Sequence, residues 1–216
     1  MKTAAIMPES FARFPVIGIL RGFAPDLAID SGRAAAGAGL AAIEVTLNSP
    51  RATEQIRALR QALGESVWVG AGTVLDAGQA REALAAGAQF LVSPVVDAGV
   101  MATGREAGVG LFPGALTPTE VLQAWRQGAT MVKVFPAGPL GPAYIKALKG
   151  PLDDIPLLPT GGIGLQNAEA FLAAGADGFG IGEPLFDKGR IMARDWPFLR
   201  ERVSQFRALF AAHRAR

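Results

Sequence analysis

The chain has 216 residues, half of them apolar, with a formal net charge of +2 and a mean hydropathy of +0.28, a size that an α/β barrel fills as one domain. It has no cysteine and one histidine, His213, which excludes disulfides, a thiolate nucleophile and cysteine-based metal sites, and leaves no basis for a Ser-His-Asp triad or a multi-histidine metal centre. Nucleic-acid binding is not expected either, because the charge behind the pI of 9.3 is confined to the C-terminal tail described below.

The chain opens with "MKTAAIMPES", whose apolar run is too short for a signal-peptide core, and no stretch of about 20 apolar residues marks a membrane helix. A soluble, cytoplasmic protein is expected. The first strand is placed at 16–21. The turn after it, "RGFAPD", lacks the G-x-G-x-x-G fingerprint of an open dinucleotide-binding sheet. Further strands follow at 41–46, 67–71, 90–93, 109–113, 131–135, 157–160 and 178–182. Helices fall between them near 25–37, 50–63, 76–86, 97–107, 117–127, 142–149 and 165–174, and a last helix covers about 197–212. Small-residue corners at Gly37, Gly87, Gly108, Gly128 and Gly175 precede apolar runs, on a unit of about 20–25 residues. Such a unit reads as a helix ended by a left-handed glycine and followed by a strand covered on both faces. Helix entries are signalled by Ser49-Pro50, Asp76 and "LTPTE", where Thr117 caps, Pro118 fits the first position and Glu120 completes a capping box. Residues 196–216 carry five arginines against Glu201, a net +4 that leaves −2 for the remainder. This tail reads as an amphipathic helix with Val203, Phe206, Leu209 and Phe210 on one side and a solvated basic face on the other.

Eight strands alternating with helices predict a single-domain (β/α)8 TIM barrel over residues 1–216, with its core at about 14–190 and an extra C-terminal helix and tail at 191–216. The runner-up is an open doubly wound sheet. In a barrel the functional groups lie where strands end. Of five lysines, Lys133 alone sits inside an apolar strand, "MVKVF". Alternation puts Met131, Lys133 and Phe135 on the inner face and Val132 and Val134 toward the helices. "AIEVTL" repeats the pattern, with Glu44 and Thr46 opposite Ile43, Val45 and Leu47. A snorkelling lysine or a structural ion pair are the bland readings. The functional one is covalent catalysis. An apolar site depresses the amine's pKa, and the free base forms a Schiff base with a keto acid. The protonated imine then draws electrons from a breaking C–C bond while Glu44 moves protons. "LPTGGIG" and "GFGIGEP" add two glycine turns after the last strands, where Gly161, Gly162 and Gly182 present N–H groups to a phosphate. Glu183 opposes such an anion unless its side chain turns away.

"IEVTLNSP", "GAGTVL", "FLVSP", "MVKVFPA", "GPAYIKALKG", "PTGGI" and "GFGIG" together resemble the 2-keto-3-deoxy-6-phosphogluconate and 6-phosphogalactonate aldolases, in order over about residues 14–190. The resemblance implies a class I aldolase without cofactor or metal. It implies Lys133 as the imine lysine and Glu44 as acid/base. Arg21, Thr73 and Pro94 would lie at the pyruvate half with Phe135 against it, and Gly161, Gly162, Gly182 and the Glu183 backbone at the phosphate. It implies a homotrimer acting on a keto-deoxy sugar phosphate, with no nucleic-acid or membrane partner. Arg21 in "ILRG", Asn48 in "LNSP" and the "YIKALK" segment match the galactonate branch, whereas Thr160 in "PTGGI" matches the gluconate branch and could contact the C4 hydroxyl. Glu183 replaces the small hydroxyl residue usual in the family. The competing classes are a non-covalent sugar-phosphate isomerase or epimerase and a sugar-phosphate binding barrel.

Overall fold

The short apolar runs become buried strands and the corners between them become helix ends. A computed structural model describes residues 7–215, and the segment "MKTAAI" and Arg216 lie outside it. Among the described residues the strands are β1 (Val16–Leu20), β2 (Ala42–Thr46), β3 (Trp68–Gly72), β4 (Phe90–Val92), β5 (Gly110–Phe112), β6 (Gly114–Ala115), β7 (Val132–Val134), β8 (Leu157–Pro159) and β9 (Phe179–Ile181). The helices are α1 (Glu9–Arg13), α2 (Pro25–Gly37), α3 (Ala52–Leu63), α4 (Ala77–Ala85), α5 (Ala98–Glu106), α6 (Pro118–Arg126), α7 (Gly141–Lys149), α8 (Leu165–Ala173), α9 (Lys188–Met192) and α10 (Trp196–Arg214), with a 3₁₀ turn at Gly64–Ser66. All strand pairs are parallel. They form a six-stranded sheet in the order β5-β4-β3-β2-β1-β9 and a three-stranded sheet in the order β6-β7-β8.

The expected strand 109–113 is divided in two. Pro113 has no N–H for the ladder, so β5 and β6 stand on either side of it, while its carbonyl accepts from the Lys133 N–H at 2.9 Å. The unforeseen α1, α9 and 3₁₀ turn are single short turns too brief to show a period. The first corner is also displaced. Gly39, not Gly37, takes the left-handed conformation, at φ +97, in line with Gly87, Gly108, Gly128 and Gly175. Asp76 caps α4, and Thr117 with Glu120 forms the capping box of α6. Ser49 does not cap α3. That helix starts after Arg51, while the Ser49 hydroxyl accepts from the Gly22 N–H at 2.8 Å and bonds Thr46 Oγ1 at 2.9 Å, tying the ends of β1 and β2 together.

Alternation along the strands separates two apolar layers. Ile43, Val45, Val132, Val134, Phe179 and Ile181 face outward and join the helix layer. Ile17, Ala42, Trp68, Phe90, Phe112, Met131 and Leu158 face inward and pack around Phe11 of α1. This inner layer is an aromatic plug: Phe11 meets Trp68 at 5.5 Å and Phe112 at 6.0 Å between ring centroids, and Trp68 meets Phe90 at 4.8 Å. Gly70 and Gly110 make room for it, since a Cβ at either would enter the ring of Phe90 or Trp68. α10 closes the outside, burying Leu199, Val203, Phe206 and Phe210, and Arg214 donates to the carbonyls of Ala12 and Arg13 at 2.7 Å each, which anchors α1 under the plug. None of the described helices is long and apolar enough to cross a membrane.

Phe11 is fully buried although its helix has only five residues. Phe11→Ala is therefore expected to lower unfolding stability by about 3–5 kcal/mol, read from the midpoint of a urea titration.

Candidate active site

Above the plug the inward face changes character. The next positions along the strands include Glu44, Gly72, Gly114, Lys133, Thr160 and Gly180, so two ionisable residues stand among small ones. Glu44 stands on β2 between Ile19 of β1 and Gly70 of β3, and Lys133 on β7 between Gly114 and Leu158. Glu44 is 1 % exposed and Lys133 5 %. The Glu44 carboxylate lies directly over Gly72, where a Cβ would overlap it. The Lys133 Nζ lies 4.8 Å from the centre of the Phe135 ring. Neither side chain is hydrogen-bonded or ion-paired among the described residues.

Burial dominates the acid–base behaviour of both groups. It pushes the Glu44 carboxyl up, against the opposing pull of Lys133 and Arg21. It pushes the Lys133 amine down, aided by Arg21 and resisted by Glu44. Both groups thus move toward their neutral forms. An amine freed of its proton is a nucleophile, and a carboxyl of raised pKa holds its proton to higher pH, as a proton-transferring group requires.

A cavity of about 690 Å³ opens beside Lys133. Arg21, Lys133, Phe135, Thr160, Gly161, Gly162, Gly182 and Glu183 all line it. Arg21 donates to Thr73 Oγ1 at 3.2 Å. Thr73 holds φ +56, a conformation that costs a β-branched residue of order 1–3 kcal/mol. Glu44, Thr73 and Pro94 do not line the cavity: Glu44 lies over Gly72, Thr73 is bonded to Arg21, and the Pro94 backbone packs on Gly114. Asn48 is exposed in the turn after β2 and does not line the cavity.

At the other end the turn after β8 is held open. Gly161 and Gly162 have φ +82 and +78. The Gly161 carbonyl accepts from Gly138 at 2.7 Å, and Asn167 grips the turn by donating to the Gly162 carbonyl and accepting from the Gly164 N–H, each at 2.9 Å. Among the described residues the N–H groups of Gly161, Gly162, Gly182 and Glu183 have no acceptor. Converging free N–H groups attract an anion. Sequence reasoning missed several other lining residues, among them Ile19, Phe23, Gln166, Phe186 and Lys188. Gln166 and Lys188 lie just beyond the two glycine turns, so extending the strand-end search into the loops would have reached them. The Thr160 hydroxyl donates to the Leu158 carbonyl at 3.2 Å, which leaves its lone pairs free to accept.

An amine and a carboxyl driven toward neutrality, at one end of a cleft whose other end offers bare N–H groups, form the equipment of a Schiff-base lyase acting on an anionic substrate. The chain belongs to the KDPG and KHG aldolase family, whose model matches residues 9–201. It is 37% identical over 183 residues to the 2-dehydro-3-deoxy-6-phosphogalactonate aldolase of Escherichia coli K12, covering 84% of this chain and 89% of that one. A solved structure described as native KDPGal superimposes with a TM-score of 0.88 at 33% identity, covering 94% of this chain and 97% of that chain. The KDPG aldolase of Legionella pneumophila, solved with pyruvate captured as a covalent carbinolamine, superimposes with a TM-score of 0.83 at 28% identity, covering 90% and 95%.

The raised Glu44 pKa fixes the sign of a pH effect. Below the unfolded carboxyl's pKa of about 4.3 both states are protonated and burial carries no ionic penalty. As pH rises toward the folded pKa, the folded state keeps a proton that the unfolded state has lost, so stability declines. The stability of Glu44→Gln relative to the unsubstituted protein is therefore expected to grow from pH 4 upward through the carboxyl range. Paired denaturant titrations across that range measure it, and a pH-independent difference would contradict the raised pKa.

Proposed function

We propose that the protein is a class I aldolase that cleaves 2-dehydro-3-deoxy-6-phospho-D-galactonate to pyruvate and D-glyceraldehyde 3-phosphate. The observation that carries this is the buried Lys133 amine, unpaired and depressed in pKa, in the same electrostatic environment as Glu44. Lys133 attacks the C2 carbonyl, and the carbinolamine loses water to give a protonated imine. The C3–C4 bond then breaks, its electron pair moving into the imine to form an enamine, while the C4 hydroxyl proton passes to Glu44. The aldehyde leaves. The enamine carbon regains a proton, and water hydrolyses the imine, releasing pyruvate and the free amine. Arg21 or Thr73, with nearby amides, holds the substrate carboxylate, with Pro94 and Phe135 bounding the pyruvate half. Gly161, Gly162, Gly182 and the Glu183 N–H receive the phosphate, which the four unsatisfied N–H groups support. The cleavage itself uses no metal or cofactor, since the imine is the electron sink.

The same reading takes the chain as one (β/α)8 domain, with about 14–190 as its core and 191–216 as C-terminal helix and tail. Two observations support closure of the ring: a parallel bridge from Thr160 to Gly180, next to β8 and β9, and the single residue between β5 and β6. A homotrimer is supported by exposed Leu75, Val95, Leu116 and Leu140, apolar residues on successive strand-end turns. Cytoplasmic location follows from such a metabolic role. Thr160 favours a second reading, cleavage of the gluconate epimer, because its hydroxyl stands free to accept from a C4 hydroxyl.

Borohydride reduction with pyruvate should add pyruvate's mass to Lys133, located by peptide mass spectrometry. Lys133→Ala should lose the adduct and the cleavage activity together. Glu44→Gln should keep the adduct but lower kcat by about 10²–10⁴-fold. Retained cleavage in Lys133→Ala would end the covalent reading, and parallel assays of the two epimers decide between the substrates. For the assembly, Val95→Asp should shift the sedimentation mass from three chains to one.

A further inference from the structure

The distal end of the cleft carries a charge arrangement that cleavage does not use. Glu183 lines it immediately beside the free N–H groups of Gly182 and Glu183. A carboxylate there repels the terminal phosphate that those groups would bind. Gln166 also lines this end but is uncharged and cannot offset it. The remaining polar side chain is Lys188, at the first position of α9. Its sequence neighbour Asp187 forms no ion pair with it among the described residues and instead accepts from the Arg190 N–H at 2.8 Å, capping α9. Lys188 forms no ion pair or hydrogen bond among the described residues, with Glu183 or any other group. The other two cations that line the cavity are committed elsewhere: Arg21 is bonded to Thr73, and Lys133 stands in the field of Glu44.

On the aldolase reading above, we propose that Lys188 is a specificity-determining residue whose ammonium pairs with the terminal phosphate of the keto sugar acid, offsetting the repulsion by Glu183 and giving this chain its preference for phosphorylated over unphosphorylated substrate. Glu183 and Lys188 then set that preference in opposite directions. The N–H groups orient the phosphate, and the lysine supplies the charge that a small hydroxyl residue in place of Glu183 would not have required.

The test compares kcat/KM for the 6-phosphorylated acid and its unphosphorylated counterpart. Lys188→Met should lower the phosphorylated-to-unphosphorylated ratio about five- to tenfold, the scale of one partly screened charge–charge contact, through a raised KM for the phosphorylated substrate. Lys188→Arg should restore most of the ratio, and Glu183→Gln should raise it. Lys146→Ala, which removes the same charge from an exposed position outside the cavity, should leave the ratio unchanged. Inorganic phosphate titrated calorimetrically into each protein should bind more weakly to Lys188→Met by a similar factor. Equal ratios and equal phosphate affinities for Lys188→Met and the unsubstituted protein would overturn the proposal. Pyruvate carries no phosphate, so trapping it on Lys133 tests the aldolase reading separately. If trapping fails, the phosphate titration still decides the role of Lys188 by the same criterion.

Discussion

The structure depends on keeping an amine and a carboxyl out of water without pairing them. Desolvation costs several kcal/mol per ion, and a close ion pair is the usual compensation. Here Glu44 and Lys133 sense each other's field but make no direct contact, and each shifts toward its neutral form instead. Forming a salt bridge would leave the amine protonated and inert. Separation instead lets burial lower the pKa of the amine. The destabilisation is accepted because the strands on which the two residues stand are fixed from both sides: Ile43 and Val45, and Val132 and Val134, lock the neighbouring positions into the helix layer.

Dryness at that level comes from what lies below it. The plug of Phe11, Trp68, Phe90 and Phe112 fills the inner face to the layer just under Glu44, and it packs so closely that Gly70 and Gly110 have no space for a side chain. One step higher the glycines admit polar side chains instead: Gly72 lies under the Glu44 carboxylate and Gly180 beside the Thr160 hydroxyl. The same residue type thus admits aromatic bulk at one level and polar side chains at the next. The loops above are fixed by side-chain hydrogen bonds, from Asn167 on the turn after β8 and Ser49 between the ends of β1 and β2.

Much of this was legible in the sequence because one charge in an apolar strand is conspicuous and a period of two assigns its face. Lys133 and Glu44 were found that way, and α2 and the capped starts of α4 and α6 fell where local rules put them. What was not legible depended on tertiary partners. Ser49 has the chemistry of a helix cap, yet Gly22 and Thr46 offered its hydroxyl better-placed partners. α1 is too short for any period, and its reason for existing is the aromatic cluster that Phe11 completes. Asn48 follows β2, and its place in the turn, exposed and outside the cavity lining, depends on the tertiary path of that turn rather than on strand alternation. Lys188 and Gln166 were overlooked for the same reason, since loop residues have no alternation to assign them a side.

Discrimination between C4 epimers has to arise where the cleft offers few polar side chains. Thr160 bridges in sequence from β8 to the glycine turn, with its hydroxyl proton directed to Leu158 and its oxygen facing Gly180. A hydroxyl so committed accepts but does not donate, so it favours whichever epimer brings a donor toward it and gives nothing to a carbonyl or an ether. The backbone N–H groups beyond it only donate, and suit an anion. The Thr160 acceptor and the backbone donors beyond it together suit a substrate that carries a mid-chain hydroxyl and a terminal anion. On the proposed chemistry a substrate so held also brings its C2 carbonyl toward Lys133, so recognition at the far end and bond-making at the near end depend on a single register of the bound chain.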